Sequence, residues 1–481
     1  MFRRPLAALV AVTAAFAVAA AGCGGGSGGG TAGGAASVVP KNAAAFIAID
    51  TDSSSDQWKA ANSLLAKFPD GDQLTAMIER ELSKQNLDWE TDVKPALGPE
   101  VDVAVFNASA SQPDVVFLTQ PDDQSKLDAL LAKSDEHPVK KQIGDWTAVA
   151  ESEAVLNRLE QSTDDGTLAD SDTFDEATKD LDEGALVRFY ADGKQLTDAL
   201  RRGGAFSQAP ALGNVSGADW VSGTVEARDE GVVAHATAKG AQGASKDYKA
   251  DLASKVPGDA VALVSFNNLE EGLRRARSQL GNAIPGVDQQ IAQFEAAAHV
   301  SLDKDVLPLF ANEGAIYVAP ASPIPAVTLA LKVDDTQAAL ATVGKLAALV
   351  GRPQAVDVDG VSAREIRIGS NFRLIYAAFD GTLVLTTAEE GISGLKADGP
   401  KLVDDPTFQD AQSTADMPDE TAGFVYLDGQ RIARMAYGFA STSGQQVPDR
   451  VRRNVAPLKS FILFSSQDGD TSNVTALLRI E

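Results

Sequence analysis

The chain has 481 residues, with 67 acidic against 42 basic side chains and a formal net charge of −25. Its densest basic groups, Arg274–Arg277 and Arg450–Arg453, are brief, which excludes a nucleic-acid footprint and disfavours attraction to anionic headgroups. A single cysteine excludes an internal disulfide and a thiolate metal site, while 44% hydrophobic content is that of a folded chain with two to three domains.

The first 22 residues read as a secretory signal peptide: Arg3 and Arg4, the apolar stretch Leu6 to Ala21, then the small residues Ala20, Ala21 and Gly22. The apolar stretch is short for a membrane span, which needs about 20 apolar residues. With Cys23 following, the stretch resembles the lipobox of bacterial lipoproteins, although Ala20 stands where an aliphatic residue is usual. The resemblance implies that the Cys23 sulfur carries acyl chains of the palmitate kind and that the mature chain begins there. Each buried methylene contributes about 0.8 kcal/mol, so a diacylglyceryl group with a further N-acyl chain anchors stably. Residues 23–37, rich in Gly and Ser, then form a flexible tether.

Self-comparison divides the remainder into two copies of one unit, 38–240 and 255–481, joined by a polar connector over 241–254. The segment from Val39 parallels the segment from Val256; Pro95 corresponds to Pro308, Leu127 to Leu340 and Phe174 to Phe408. Each copy opens on a short alternating strand, AAFIAID or AVALVSF. Helices follow: Trp58, Ala61, Leu64, Leu65 and Phe68 share a face, as do Leu74, Met77, Ile78 and Leu82. Val287, Ile291, Phe294 and Ala298 repeat that spacing. A strand pair, the helix at Leu127 or Leu340 and two further strands come next. A short helix then starts at Asp172 or Asp405, an aspartate capping its orphan amides. A hairpin closes each copy, the second with a turn at Asp468–Gly469. Short connections between strands predict antiparallel sheet with helices on it: an α+β class.

Chemistry-bearing patterns are sparse. His235 falls on the polar face of its strand, His299 ends a helix and His137 precedes Pro138 in a loop; none has a metal-ligand partner at short spacing. GNVSG from Gly213 is no nucleophile elbow, and GAQGASK from Gly240 lacks phosphate-loop spacing. The acidic run from Thr163 fails the calcium-loop spacing and reads as a turn and helix cap. Glu100 and Glu313 recur at equivalent places, each ahead of a strand, which suits a structural carboxylate accepting backbone amides.

Three features carry a resemblance: VPxxA and an alternating strand after the Gly-rich tether, the D-V-x-P segment, and the TF helix leading to ALVRFYAD or AGFVYLD. By them the chain resembles a family of bacterial envelope lipoproteins, frequent in actinobacteria and catalogued as a domain of unknown function. The resemblance implies location and fold and supplies no catalytic residue. The resulting expectation is a non-enzymatic lipoprotein on the outer face of the cytoplasmic membrane, without metal or cofactor, binding an envelope partner or ligand. A carrier of an apolar molecule or lipid is the alternative, and a hydrolase the third reading. Oligomeric state is left open.

Overall fold

The computed structural model of the protein describes residues 34–107, 113–134, 137–203, 217–241, 246–283, 286–322, 324–368 and 372–481. The signal peptide, Cys23 and the tether up to residue 33 lie outside the described residues, as do residues 213–216 of the GNVSG motif. By packing, the chain divides into two compact units: residues 1–242 with 448–458 and 468–481, and residues 243–447 with 459–467.

Unit 1 holds strands β1 (Ala45–Asp50), β2 (Glu100–Phe106), β3 (Asp114–Thr119), β4 (Val139–Ile143), β5 (Trp146–Ala150), β6 (Val187–Asp192), β7 (Trp220–Arg228) and β8 (Gly231–Lys239). They form an antiparallel sheet in the order β4-β5-β3-β2-β1-β6-β7-β8. Its longer helices are α1 (Asp56–Ala66), α2 (Gly71–Lys84), α3 (Gln124–Ala132), α4 (Glu153–Ser162), α5 (Asp172–Thr178) and α6 (Gly193–Gly203). Both sheet faces are covered. On one, Phe46, Leu118, Trp146, Phe174 and Tyr190 cluster under α4, α5 and the segment from Ala35; on the other, Val101, Phe117 and Val149 meet Leu82, Leu127 and Leu131. Packing begins before the end of the sequence-defined tether: Ala35–Val38 is a 3-10 turn, and Ala35 and Ala36 are fully buried because their small side chains fit against the sheet.

Unit 2 holds β9 (Tyr248–Lys249), β10 (Ala262–Phe266), β11 (Gly314–Ala319), β12 (Ala326–Lys332), β13 (Gln354–Val358), β14 (Val361–Ile368), β15 (Phe372–Phe379), β16 (Thr382–Thr386), β17 (Glu420–Thr421), β18 (Gly423–Asp428) and β19 (Leu458–Asp468). Apart from the small β9–β17 ladder, they form an antiparallel sheet ordered β13-β14-β15-β16-β12-β11-β10-β18-β19. Its helices are α7 (Glu270–Ala283), α8 (Val287–Ala298), α9 (Thr336–Ala348), α10 (Glu390–Lys396), α11 (Pro406–Thr414) and α12 (Gly429–Thr442). The last segments, α13 (Asp449–Val455) and β20 (Thr471–Ile480), belong to unit 1, where β20 pairs with β8. The fold is α+β. Among the described residues no helix is long and apolar enough to cross a membrane.

The two sheets share a strand sequence from the short opening strand outward: β3-β2-β1-β6-β7 in one, β12-β11-β10-β18-β19 in the other. Pro40 and Pro257 each make an isolated bridge, to Thr167 and Lys401. Phe174 meets Tyr190 edge to face at 5.1 Å, and Phe408 meets Tyr426 the same way at 4.8 Å. Two local details differ from the sequence reading. The cap of α5 is Ser171, one residue before Asp172, whereas Asp405 does cap α11. The β19–β20 turn falls on Gly469–Asp470, Gly469 taking φ +61°.

Candidate functional site

Charge is concentrated at the centre of the unit 1 sheet. In register, Ala48 of β1 stands opposite both Asp102 of β2 and Arg188 of β6, and Asp50 stands opposite Glu100. Strand periodicity puts Glu100, Asp102 and Arg188 on the face that also carries Phe46 and Tyr190. Arg188 ion-pairs with Glu100. Asp102 is fully buried; its Oδ2 accepts the Ala35 N–H at 3.3 Å, and its Oδ1 has no hydrogen-bond partner among the described residues. Burial pushes the Asp102 carboxyl well above the usual range, and the neighbouring Glu100 charge adds to it, outweighing Arg188. Burial also raises Glu100, against the opposing Arg188 charge. The cluster therefore sets one ion pair beside a carboxyl whose neutral form burial favours. At the strand end, burial raises Asp50 to about 7 despite hydrogen bonds from the Asp52 N–H and the Ser55 hydroxyl.

A proton held near neutrality is catalytic equipment only where a substrate can reach it. The recess here, lined by Gly34, Phe46, Ala48, Glu100, Arg188 and Tyr190, measures about 20 Å³. That volume admits a single water molecule. The segment from Ala35 to Val39 is packed over the same sheet face. The arrangement fixes that segment and the strand register.

The sequence-named residues are dispersed. Glu313 behaves as a structural carboxylate, accepting the Leu252 N–H at 2.6 Å and pairing with Lys332 at 2.6 Å. Glu100 departs from that expectation: it takes the Arg188 guanidinium instead of backbone amides. His235 is half-buried, its Nδ1 3.1 Å from the Thr475 hydroxyl, because β20 pairs along β8 and covers it. His299 is the left-handed cap of α8, and exposed His137 has φ +47°. In the acidic run, Asp170 closes a capping box with Thr167. Asp102 and Arg188 went unnamed because strand alternation alone assigns them to a solvated face; burial of both faces was the missing information.

The face of unit 2 is of another kind. Register aligns Leu329, Ile316, Val264, Val425 and Leu463 in one row across β12, β11, β10, β18 and β19. The next row is Val327, Val318, Ala262, Leu427 and Phe461. None of these ten is fully buried, and Ile316 and Val327 are exposed. At one end the face is sealed by Phe266, Leu331, Val343 and Leu383 beneath α9. A solvated face of an antiparallel sheet is ordinarily polar; this one is apolar and incompletely covered.

No curated protein matches the chain. Two solved structures do, titled as crystal forms III and IV of TP0453. Form III is 9% identical, covering 43% of this chain and 80% of that one with a TM-score of 0.23. Form IV is 10% identical, covering 48% and 93% with a TM-score of 0.24. The family model described as "Protein of unknown function (DUF3352)" matches residues 6–480, nearly the whole length, and the chain belongs to that family.

Proposed function

We propose that the protein is a non-enzymatic lipoprotein of the cell envelope, attached to the outer face of the cytoplasmic membrane through acyl chains on Cys23 and binding an apolar partner or ligand with unit 2. The observation that carries this is the apolar face across β12, β11, β10, β18 and β19, part-buried over most of its length and exposed at Ile316 and Val327. Such a surface loses free energy to water, about 25 cal/mol for each Å² left uncovered, and a contiguous one marks an interaction site. The polar groups support the same reading from the other side: Glu100, Asp102, Arg188 and Glu313 are engaged in holding strands and chain segments.

The test is native mass spectrometry of the full chain, gently extracted from membranes, beside a Val327→Glu variant. The expected result is an acylated chain starting at Cys23 with an apolar companion that the variant loses. Wild type and variant emerging equally bare would overturn the binding reading, and an unacylated chain would overturn the anchor. Reproducible loss of a turnover on replacing Glu100 or His235 with alanine would overturn the non-enzymatic reading.

A carrier of lipid is the second reading, favoured by the same face because α9 closes one end of it. A copurifying molecule with acyl-chain mass selects the carrier; a copurifying polypeptide selects the partner. We also propose that the units descend from one duplicated sequence. The shared strand order, the two proline bridges and the two Phe–Tyr contacts support it.

A further inference from the structure

The segments that lead into the opening strands of the two units are fastened alike. Ala35 and Leu252 each stand five residues before a bridging proline, Pro40 or Pro257, at a 3-10 turn, and both are fully buried. The buried valine ahead of each proline accepts a leucine N–H: Leu168 donates to Val39 at 2.8 Å, Leu402 to Val256 at 3.0 Å. In each unit a buried carboxyl group receives the leading N–H. Asp102 accepts that of Ala35 at 3.3 Å, and Glu313 accepts that of Leu252 at 2.6 Å.

The two fastenings differ in charge. Lys332 pairs with Glu313 at 2.6 Å, so the charge that holds the unit 2 segment is balanced. Asp102 instead has a second carboxylate beside it, Glu100, which takes up the Arg188 guanidinium. Other ionisable groups of this sheet face and its cover are engaged elsewhere. Asp114 of β3 pairs with Arg158 of α4, and Lys141 of β4 with Glu160 of α4. Asp50 accepts the Asp52 N–H and the Ser55 hydroxyl, and burial pushes the Tyr190 phenol up to about 12, so it is neutral. The segment Ala35–Val38 brings no ionisable side chain. Loss of the Asp102 proton thus leaves one buried anion beside another, and water reaches it only when the covering segment lifts.

From this we infer that residues 34–38 are a proton-controlled strap, closed over the unit 1 sheet while Asp102 is neutral and released when it ionises, whereas the equivalent segment of unit 2 stays closed. Lifting it uncovers little apolar surface, since residues 34–37 are Gly, Ala, Ala and Ser, and Val39 remains as the hinge on Leu168. The sign follows from burial: the neutral form belongs to the closed state, so the strap is closed at low pH and opens as pH rises. Release adds five residues, about 17 Å, to the reach of the chain from Cys23. That consequence rests on the anchored reading; the strap itself does not.

The test is amide hydrogen exchange of the full chain at pH 5 and pH 9, read as protection relative to the intrinsic rate at each pH. Protection over Ala35–Val38 should fall about tenfold or more at pH 9, while Leu252–Lys255 and β2 keep theirs. Asp102→Asn should keep the strap protected at both values. Glu100→Gln should do the same, because it removes the neighbouring anion and leaves Arg188 to Asp102. A wild-type strap equally protected at pH 5 and pH 9 overturns the inference, as does equal loss over Leu252–Lys255 or β2, which is general softening. An Asp102→Asn strap that still opens at pH 9 overturns it as well. None of these outcomes depends on acylation of Cys23, so failure of the strap and failure of the anchor are separately visible.

Discussion

Asp50 and Asp102 make the folded state hold protons that the unfolded chain releases. Because both folded values are raised, their contribution to stability is complete below about pH 4 and is lost as pH climbs through the folded values. For Asp50 the loss runs from about pH 4 to about pH 7. Replacing it with asparagine should flatten that part of the stability profile and raise stability at pH 8 by about 1–2 kcal/mol, after allowing for solvent screening of this part-exposed group. Asp102→Asn should leave stability at pH 4 unchanged and raise it at pH 8, since a neutral amide can still accept the Ala35 N–H. Chemical denaturation of each variant at the two pH values checks both. An Asp102→Asn protein less stable at pH 8 than wild type would mean that the ionised carboxylate is the folded form. Neither the burial of Asp102 nor the partial burial of Asp50 was legible in the sequence. In EVDVAVF the apolar period picks out Val101, Val103 and Val105, and the same alternation makes Asp102 look solvated. Only knowledge that a second layer covers the other face reverses that.

At the scale of elements, the turn from Asp405 into α11 joins three functions in one carboxylate. Its Oδ1 accepts the Thr407 and Phe408 N–H groups at 2.9 and 3.4 Å, its Oδ2 pairs with Arg431 of α12, and the cap sets Phe408 against Tyr426. Asp405→Ala should cost about 2 kcal/mol, from the cap and the part-buried ion pair together. Asp405→Asn should recover more than half of that by keeping the cap, and denaturant midpoints for the pair decide it: equal losses would assign the effect to Arg431 alone. The cap itself was readable from DDPTF. The hairpin β13–β14 was not read, although its signal is present in VDVDGVSAREIRI: Asp359 and Gly360 both take positive φ, +50° and +76°, as a tight two-residue hairpin turn requires. The same dipeptide turns β15 into β16 at Asp380 and Gly381, with φ of +49° and +71°. Two strands are expected there from the sequence, and the structure has four, β13 to β16.

For the whole molecule, the decisive assignment is that the last strand completes the first unit. β20 pairs with β8 over nine residue pairs, from Thr471 opposite Lys239 to Arg479 opposite Gly231. Leu477 and Ile480 are buried, and Ile480 joins Leu64, Ala227 and Val232 in one cluster. Lys67 of the chain after α1 donates to the Ile480 carbonyl at 2.8 Å, while Arg450 and Asn454 of α13 hold Asp70. Self-comparison of the sequence assigned this strand to the second copy, since the hairpin it forms in sequence with SFILFSS is local and its partner β8 lies more than two hundred residues away. Periodicity fixes which face a strand buries but carries no information on which sheet receives it. A chain ending at Gln467 therefore removes a structural part of unit 1. Burial of Leu477 and Ile480 alone is worth about 2–3 kcal/mol each, and β8 is left as an uncovered edge open to pairing with other chains. Hydrogen exchange should show faster exchange throughout β8 and α1 in the truncated chain, with protection of β11 and β12 in unit 2 retained, and size-exclusion chromatography should show association through the new edge. Unchanged protection of β8 would mean that β7 alone secures it and that β20 is dispensable to the unit it completes.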